Sequence, residues 1–277
     1  MKRYAVRVFY EGKGYFGYQR QLNEKTIEGT IIKALKKTRY VGSPENNTFR
    51  SASRTDKYVN AIGNVFSFDS KKEIVLEEIN AALPKDKSII CWAYSEVDTD
   101  FSPKYSKWKR YWYILSKEFL EAYSTITVED IETICNHFKG EHDFSLFCKK
   151  DHRKTIRRID DLNVIKQGNH IILEFIANSF LWEQVRRITS YILNFNELSE
   201  ELQDTKALLQ EHKNISALNI EPANPEYLVL VEHFYENTKW ETSERTKDQI
   251  LKKFIDEKAK IKQREIFLVS ALDYFKT

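Results

Sequence analysis

Tyr4, Val6, Val8 and Tyr10 alternate with Ala5, Arg7 and Phe9, a period of two that predicts a strand. Glu11-Gly12-Lys13-Gly14 breaks the pattern, and an aromatic and polar segment follows from Tyr15 to Gln21. Thr26 is placed to cap a helix that carries Ile27, Ile31, Ala34 and Leu35 on one face. Thr48 to Ala52 and Ile62 to Phe68 read as strands, with a short polar break between them. Ile74 to Leu83 reads as a helix stopped by Pro84, and Ile89 to Tyr94 as another strand. The order β-α-β-β-α-β is that of an α+β unit.

The second half follows a looser version of the same rhythm. A strand is predicted over Arg110 to Leu115, and a helix with Val128, Ile131, Ile134 and Phe138 on one face. A hairpin, Ile159 to Ile165 and His170 to Ile176, turns at Gly168-Asn169. Val185, Ile188 and Ile192 mark a further helix, Glu197 to His212 a polar helical stretch, and Leu228 to Phe234 a last strand entered through Pro222 and Pro225. Beyond Glu236 the chain is highly charged, with Ile250, Phe254 and Ile261 at helical spacing, which suggests an appended amphipathic helix. At 277 residues the chain exceeds the usual single-domain size. The division expected is an N-terminal α+β half, residues 1–102, and a C-terminal α+β half, residues 103–277, whose charged tail begins near 236. The two halves are expected to share one sheet.

Composition narrows the class. With 42% hydrophobic residues the chain is not disordered, and 44 basic against 41 acidic residues leave a net charge of +3. Such a balance excludes nothing, because nucleic-acid binding depends on where the cations cluster. Cys91, Cys135 and Cys148 are odd in number and match no metal-ligand spacing, which suits reduced thiols. The six histidines show no ligand pair, so no metal site is expected. No signal-peptide core follows Met1-Lys2-Arg3, and no apolar run approaches the ~18 residues of a membrane span. A soluble, cytoplasmic protein with no membrane partner is expected.

Three stretches carry candidate chemistry. In Lys104 to Tyr113, the basic residues Lys104, Lys107, Lys109 and Arg110 alternate with five aromatics. Cations suit phosphates and flat rings suit unstacked bases, but a strand with inward aromatics and solvated cations reads the same way. Lys149, Lys150, Arg153, Lys154, Arg157 and Arg158 place six cations in ten residues, either a solvated face or a phosphate-binding one. Together the two segments favour RNA or DNA. Gly12, Gly14 and Gly17 have dinucleotide-loop spacing, but the next helix starts too late for it to hold a pyrophosphate. The remaining candidate is Asp56, in Arg54-Thr55-Asp56, which taken alone is a turn residue before a strand.

As a set these residues resemble the TruA family of tRNA pseudouridine synthases, from about Tyr4 to Tyr235. Tyr10 to Gln21 is similar to the family's opening Y-D-G-x-x-[FY]-x-G-[WY]-Q-x-Q, and Arg54-Thr55-Asp56 to its R-T-D. Phe101 to Tyr113 resembles F-x-[AP]-[RK]-[FY]-S-x(4)-Y-x-Y, and Gly140 to Phe147 resembles G-x-H-D-F-x-x-F. Asn178 to Arg186 resembles N-x-F-L-x-x-x-V-R, and Pro222 to Val231 fits the closing strand. There are departures. Ser53 and Tyr58 stand where the family has glycine, Asn60 where it has histidine or serine, and Trp182-Glu183-Gln184 replaces a run often rich in histidine. Lys57 and the charged tail look more like archaeal or eukaryotic members. A glycine at the position of Tyr58 would serve a positive φ, so either Tyr58 is strained or the turn differs.

The resemblance implies a pseudouridine synthase fold, in which two α+β halves share a mixed, largely antiparallel sheet around a basic active-site cleft. It implies isomerisation of uridine in tRNA, on the 3′ side of the anticodon stem-loop, with no cofactor and no metal. The uridine would be flipped into a pocket. Asp56 would act as nucleophile or as base at the ribose, Arg186 would favour its charged form, Tyr111 would stack on the base, and Arg54 would fill the vacated space. Lys104, Lys107, Lys109, Arg110, Lys149, Lys150, Arg153, Lys154 and Arg157 would hold the RNA backbone. The partner implied is tRNA, and a homodimer is the assembly the family suggests. A non-catalytic tRNA-binding protein that keeps the fold, with Ser53 and Tyr58 marking a decayed site, is the alternative.

Overall fold

A computed structural model describes residues 1–152, 154–210 and 220–276. The first half runs β1 (Lys2–Tyr10), α1 (Ile27–Lys37), β2 (Arg50–Ser51), β3 (Asn60–Ser70), α2 (Leu76–Ala82) and β4 (Ile89–Val97). The second half begins with β5 (Trp108–Ser116), α3 (Lys117–Tyr123), α4 (Val128–His137), β6 (Gly140–Asp143) and β7 (Ile156–Ile159). It continues with β8 (Asp161–Gln167), β9 (His170–Ala177), α5 (Gln184–Leu193), α6 (Glu200–Gln203), α7 (Thr205–Gln210), β10 (Leu228–Phe234), β11 (Glu241–Thr242) and α8 (Glu244–Lys276). One sheet crosses the molecule in the order β11-β4-β1-β3-β10-β5-β9-β8, with β2 added to β3, and β6 pairs with β7 apart from it. Every pairing in the large sheet is antiparallel except β10 on β3. The α+β class and the shared, largely antiparallel sheet are those anticipated.

The alternation in β1 decides its two faces. Tyr4, Val6, Val8 and Tyr10 enter one core with Ile31 and Leu35 of α1 and Ile79 of α2. Thr26 caps α1 as expected, its hydroxyl accepting from the Gly29 N–H at 3.2 Å. In the second half Tyr113, Leu115 and Phe175 pack beneath Ile131, Ile134 and Phe138 of the α4 segment and Val185, Ile188 and Ile192 of α5. Leu228 joins the second core and Leu230 the first. Two residues apart on one strand, they face the same way, so both helix layers cover the same face of the sheet. Tyr111 touches both cores and marks the seam.

The opposite face of the first half is covered by the end of the chain. The Arg7 guanidinium lies 4.6 Å from the Trp240 ring centroid and 5.5 Å from that of Trp92, and donates to Glu232 at 3.1 Å. Phe9 meets Phe254 of α8 edge-on at 5.4 Å, and the buried Lys253 ammonium pairs with Glu11 and Glu257. The predicted tail helix is therefore one element of 33 residues. Its start docks on the sheet, and residues 258–270 are exposed throughout.

Three expectations change. The strand over Thr48 to Ala52 shrinks to Arg50–Ser51, because Thr48 turns to φ +47°. Ile159 leaves the hairpin and ends β7, paired with Gly140 across a small sheet that the periodicity did not suggest. The polar stretch from Glu197 divides into the short α6 and α7 where Asp204 leaves helical ψ, and its last two residues lie outside those described. Helix α3 and strand β11 were not anticipated.

The halves join where β10 meets β3, through Val229 opposite Asn60 and Leu230 opposite Ala61. Just past this contact a Cβ on Gly63 would lie 2.6 Å from the Val231 carbonyl oxygen, so only glycine allows the two backbones to approach. Gly63→Ala is expected to lower stability by about 1–3 kcal/mol, from overpacking. Urea unfolding checks this, with a lower midpoint expected and an unchanged one counting against the junction.

Candidate active site

The loop from Ser51 to Asn60 is polar, yet nearly every group on it has an assigned partner. The Asn64 amide accepts from the Ser53 N–H at 3.3 Å and donates to the Ser53 carbonyl at 3.0 Å and the Tyr10 hydroxyl at 3.1 Å. The Tyr10 hydroxyl lies 2.7 Å from Thr55 Oγ1, and the Tyr18 N–H donates to the Thr55 carbonyl. A Cβ on Gly12 would stand 2.4 Å from the Tyr58 carbonyl carbon. The first glycine of the opening motif is thus needed for close approach to the Asp56 loop, not for phosphate. The Gly12 N–H donates to Asn60 Oδ1 at 2.9 Å, and the Asn60 amide donates across to the Glu226 carbonyl.

Tyr58 resolves the choice posed by its replacement of glycine. Its φ is +69°, so the left-handed turn is kept and a bulky side chain occupies it. That conformation costs an L-residue roughly 1–2 kcal/mol. Lys57, next to it, lays its ammonium 4.1 Å from the Phe16 ring and 4.8 Å from the Tyr58 ring.

At the turn's apex the Asp56 carboxylate is held at both oxygens. Arg186 Nη1 donates to Oδ2 at 3.2 Å, and Trp182 Nε1 donates to Oδ1 at 3.1 Å. The Asp56 side chain is 26% exposed and that of Arg186 11%, so the carboxylate is reachable while its cation is set back. Arg186 sits in the first turn of α5 and is fixed by the Ala223 carbonyl, which accepts from Nε at 2.7 Å. Glu183, the residue before α5, takes φ +63° and pairs with Arg187 at 2.6 Å. Burial pushes the Asp56 carboxyl above the usual carboxylate range. Arg186 pulls the other way by charge and hydrogen bond, Glu183 adds a small upward push, and the Trp182 bond a downward one. Arg186 favours the charged form, but burial outweighs it.

Tyr111 stands beside this pair on β5. Burial pushes its phenol up to about 12, against a hydrogen bond with Ser53 and with a contribution from the negative Asp56. It is therefore a neutral phenol at ordinary pH. Its ring meets Phe180 edge-on at 5.3 Å. Asp56, Arg186 and Tyr111, some 130 residues apart at the extremes, are brought to one place.

The other predicted residues divide. Arg54 is exposed on the same loop. Lys149 joins the site through Trp182: its ammonium lies 4.2 Å from the indole, and its N–H donates to the Trp182 carbonyl at 2.9 Å. Lys104, Lys150 and Lys154 are exposed, and Lys107 pairs with Glu236. Lys109 is half-buried, on the side of β5 shared with Tyr111. Arg110 faces the opposite side, 3.5 Å from Glu174 and over the Trp108 ring. Arg157 is half-buried, donating to the Lys154 and Ile156 carbonyls. Arg153 lies outside the described residues. Among the described residues no group of three His, Cys, Asp or Glu side chains could hold a metal, and no helix is long and apolar enough to cross a membrane. Sequence reasoning missed Trp182: it lies before α5, beyond the left-handed Glu183, so no helical spacing ties it to Arg186.

The strained turn makes opposite predictions for two substitutions. Tyr58→Gly is expected to raise stability by about 1 kcal/mol or less, since relief of strain outweighs glycine's entropy cost. Tyr58→Val is expected to lower it, because a β-branched residue is worse at positive φ. Thermal unfolding of both variants checks the pair, and the same sign for both would refute the strain.

Comparison with known proteins places the chain in a family. A family model for tRNA pseudouridine synthase matches residues 134–236. The tRNA pseudouridine synthase A of Methanothermobacter thermautotrophicus is 34% identical over 85% of this chain and 82% of its own length. That of Pyrococcus abyssi is 38% identical over 91% of this chain and 90% of its own, and that of Methanobrevibacter smithii 32% identical over 87% and 86%. Identity of this order over more than four fifths of both chains means that the chain belongs to the tRNA pseudouridine synthase A family.

Proposed function

We propose that this protein isomerises uridine to pseudouridine in tRNA with Asp56 as the reacting carboxylate. The observation that carries the reading is the half-buried Asp56 held between Arg186 and Trp182, with the neutral Tyr111 phenol alongside. The reaction breaks the bond from ribose C1′ to uracil N1, turns the base, and forms a bond from C1′ to C5. The C5 proton is lost and N1 gains one, so atoms balance without a cofactor. Asp56 either attacks C1′ or removes the C2′ proton, and both routes need it ionised. Arg186 supports the ionised form, and a flipped nucleotide would enter where the carboxylate is open to solvent. Tyr111 is suited to stack on the uracil and to donate a hydrogen bond to it, and its raised pKa disfavours the phenolate.

The finer parts of the reading rest on family likeness and surface charge. Exposed Lys104, Lys149, Lys150 and Lys154, with Lys107 and Lys109, are proposed to form the basic cleft that holds the RNA backbone, and exposed Arg54 to fill the space that the flipped nucleotide vacates. Arg110 and Arg157 are engaged elsewhere and are proposed to contribute less. The 3′ side of the anticodon stem-loop is the proposed target, a homodimer the proposed assembly, and the cytoplasm the proposed location. The two α+β halves, 1–102 and 103–277, are proposed to close on the RNA from either side of Tyr111.

Asp56→Asn is expected to lower pseudouridine formation by roughly 10⁴-fold or more while unmodified tRNA still binds. Pseudouridine mapping and filter binding check this together. Retained activity would remove Asp56 from the mechanism, and a wild type that binds tRNA without modifying it would make the protein a binder only. Because Asp56 must be ionised and burial raises its pKa, kcat/KM is expected to fall on the acid side, at a pH above the ordinary aspartate value of about 4. A profile flat to that pH would contradict the assignment.

A further inference from the structure

Asp56 has two oxygens, and the family likeness accounts for the partner of only one. Oδ2 faces Arg186; Oδ1 accepts from the indole N–H of Trp182, at a position that the family pattern leaves open. One contact at one oxygen leaves the carboxylate free to swing about its bond to Cβ. A second contact at the other oxygen fixes its plane. A carboxylate has about four lone-pair sites, so both contacts together still leave positions for a ribose atom. The indole is itself braced. Lys149 covers one ring face at 4.2 Å, and its backbone N–H holds the Trp182 carbonyl. A cation on the ring face draws electron density from the indole and makes its N–H a better donor. At 43% exposure the ring also forms part of the wall on the solvent side of the carboxylate.

We propose that Trp182 is a positioning residue for Asp56: its indole N–H sets the plane of the carboxylate and stabilises the ionised form, and Lys149 braces the ring that does so. The proposal rests on Asp56 being the reacting group. The charged and titratable groups around Asp56 are Arg186 and Glu183 at the start of α5, Tyr111 from β5, and Lys149 beyond the indole. On the Asp56 loop Lys57 is turned to Phe16 and Tyr58 and Arg54 is exposed, while Glu183, before α5, is paired with Arg187. Arg186 therefore remains as the cation in contact with the carboxylate when the indole N–H is removed. The ionised form then loses one of its two donors, and the proton is held more tightly.

Trp182→Phe keeps a ring for Lys149 but has no N–H. Its acid limb of kcat/KM is expected to move to higher pH, with the rate recovering at alkaline pH. A residue that only filled space would lower the rate equally at every pH, and that result would overturn the proposal. A second measurement needs no activity. In wild-type protein labelled with ¹⁵N-tryptophan, the Trp182 indole signal, identified by its absence from Trp182→Phe or Trp182→Tyr, is expected to titrate with Asp56. In Asp56→Asn it is expected to shift and stop titrating. An indole signal indifferent to both pH and Asp56→Asn would also overturn the proposal. Should Asp56→Asn stay active, the reading of the reaction fails, whereas the indole titration reports on the contact by itself.

Discussion

The ion pair between Asp56 and Arg186 is the contact around which the rest of the site is arranged. Arg186, in the first turn of α5, reaches Asp56 across 130 residues of sequence. The carboxylate lies at a turn of the first half and the guanidinium on a helix of the second, so the pair forms only when β10 lies between β3 and β5. Burial works against the charge on Asp56 and Arg186 works for it. A carboxylate left in that position without its cation would tend to stay protonated and would be a poor nucleophile or base. Fold and chemistry therefore meet in one contact.

What keeps the contact in place is backbone held to backbone. Asn64 bridges Ser53 and Tyr10, Tyr18 holds Thr55, and Gly12 lies against Tyr58 with no room for a side chain. These restraints come from β1, the segment after it and β3, which are deep in the first core. Tyr58 is strained at φ +69°, and such strain persists where surrounding structure over-determines a turn. On the other side Ala223 accepts from Arg186 Nε, and its N–H returns a bond to the Arg186 carbonyl. The Asp56 carboxylate is thus on a loop in name only.

The elements legible in the sequence were those whose signal is local. The alternation of β1, the Thr26 cap and the apolar stripes of α1, α4 and α5 were all readable, because period and capping are set within a few residues. The pairing of β6 with β7 was not, since each strand is four residues long and neither shows a clear alternation. The strand over Thr48 failed for a related reason: a single positive φ ends it, and threonine gives no warning of one. At the site, Asp56, Tyr111 and Arg186 were named through family likeness and not through pattern. Trp182 escaped because it looked like a departure, and its partner is 126 residues away. Gly12 was weighed as a phosphate-loop glycine; only the three-dimensional proximity of Tyr58 shows what it is for.

Arg186 favours the ionised form of the half-buried Asp56 carboxylate, and this can be measured without substrate. Titration of the Asp56 carboxyl carbon by NMR in wild type and in Arg186→Gln compares the two directly. The pKa is expected to be higher in Arg186→Gln, because the upward push of burial is then unopposed by the guanidinium. An Asp56 that titrates at the same pH or lower without Arg186 would contradict the central role given to this pair.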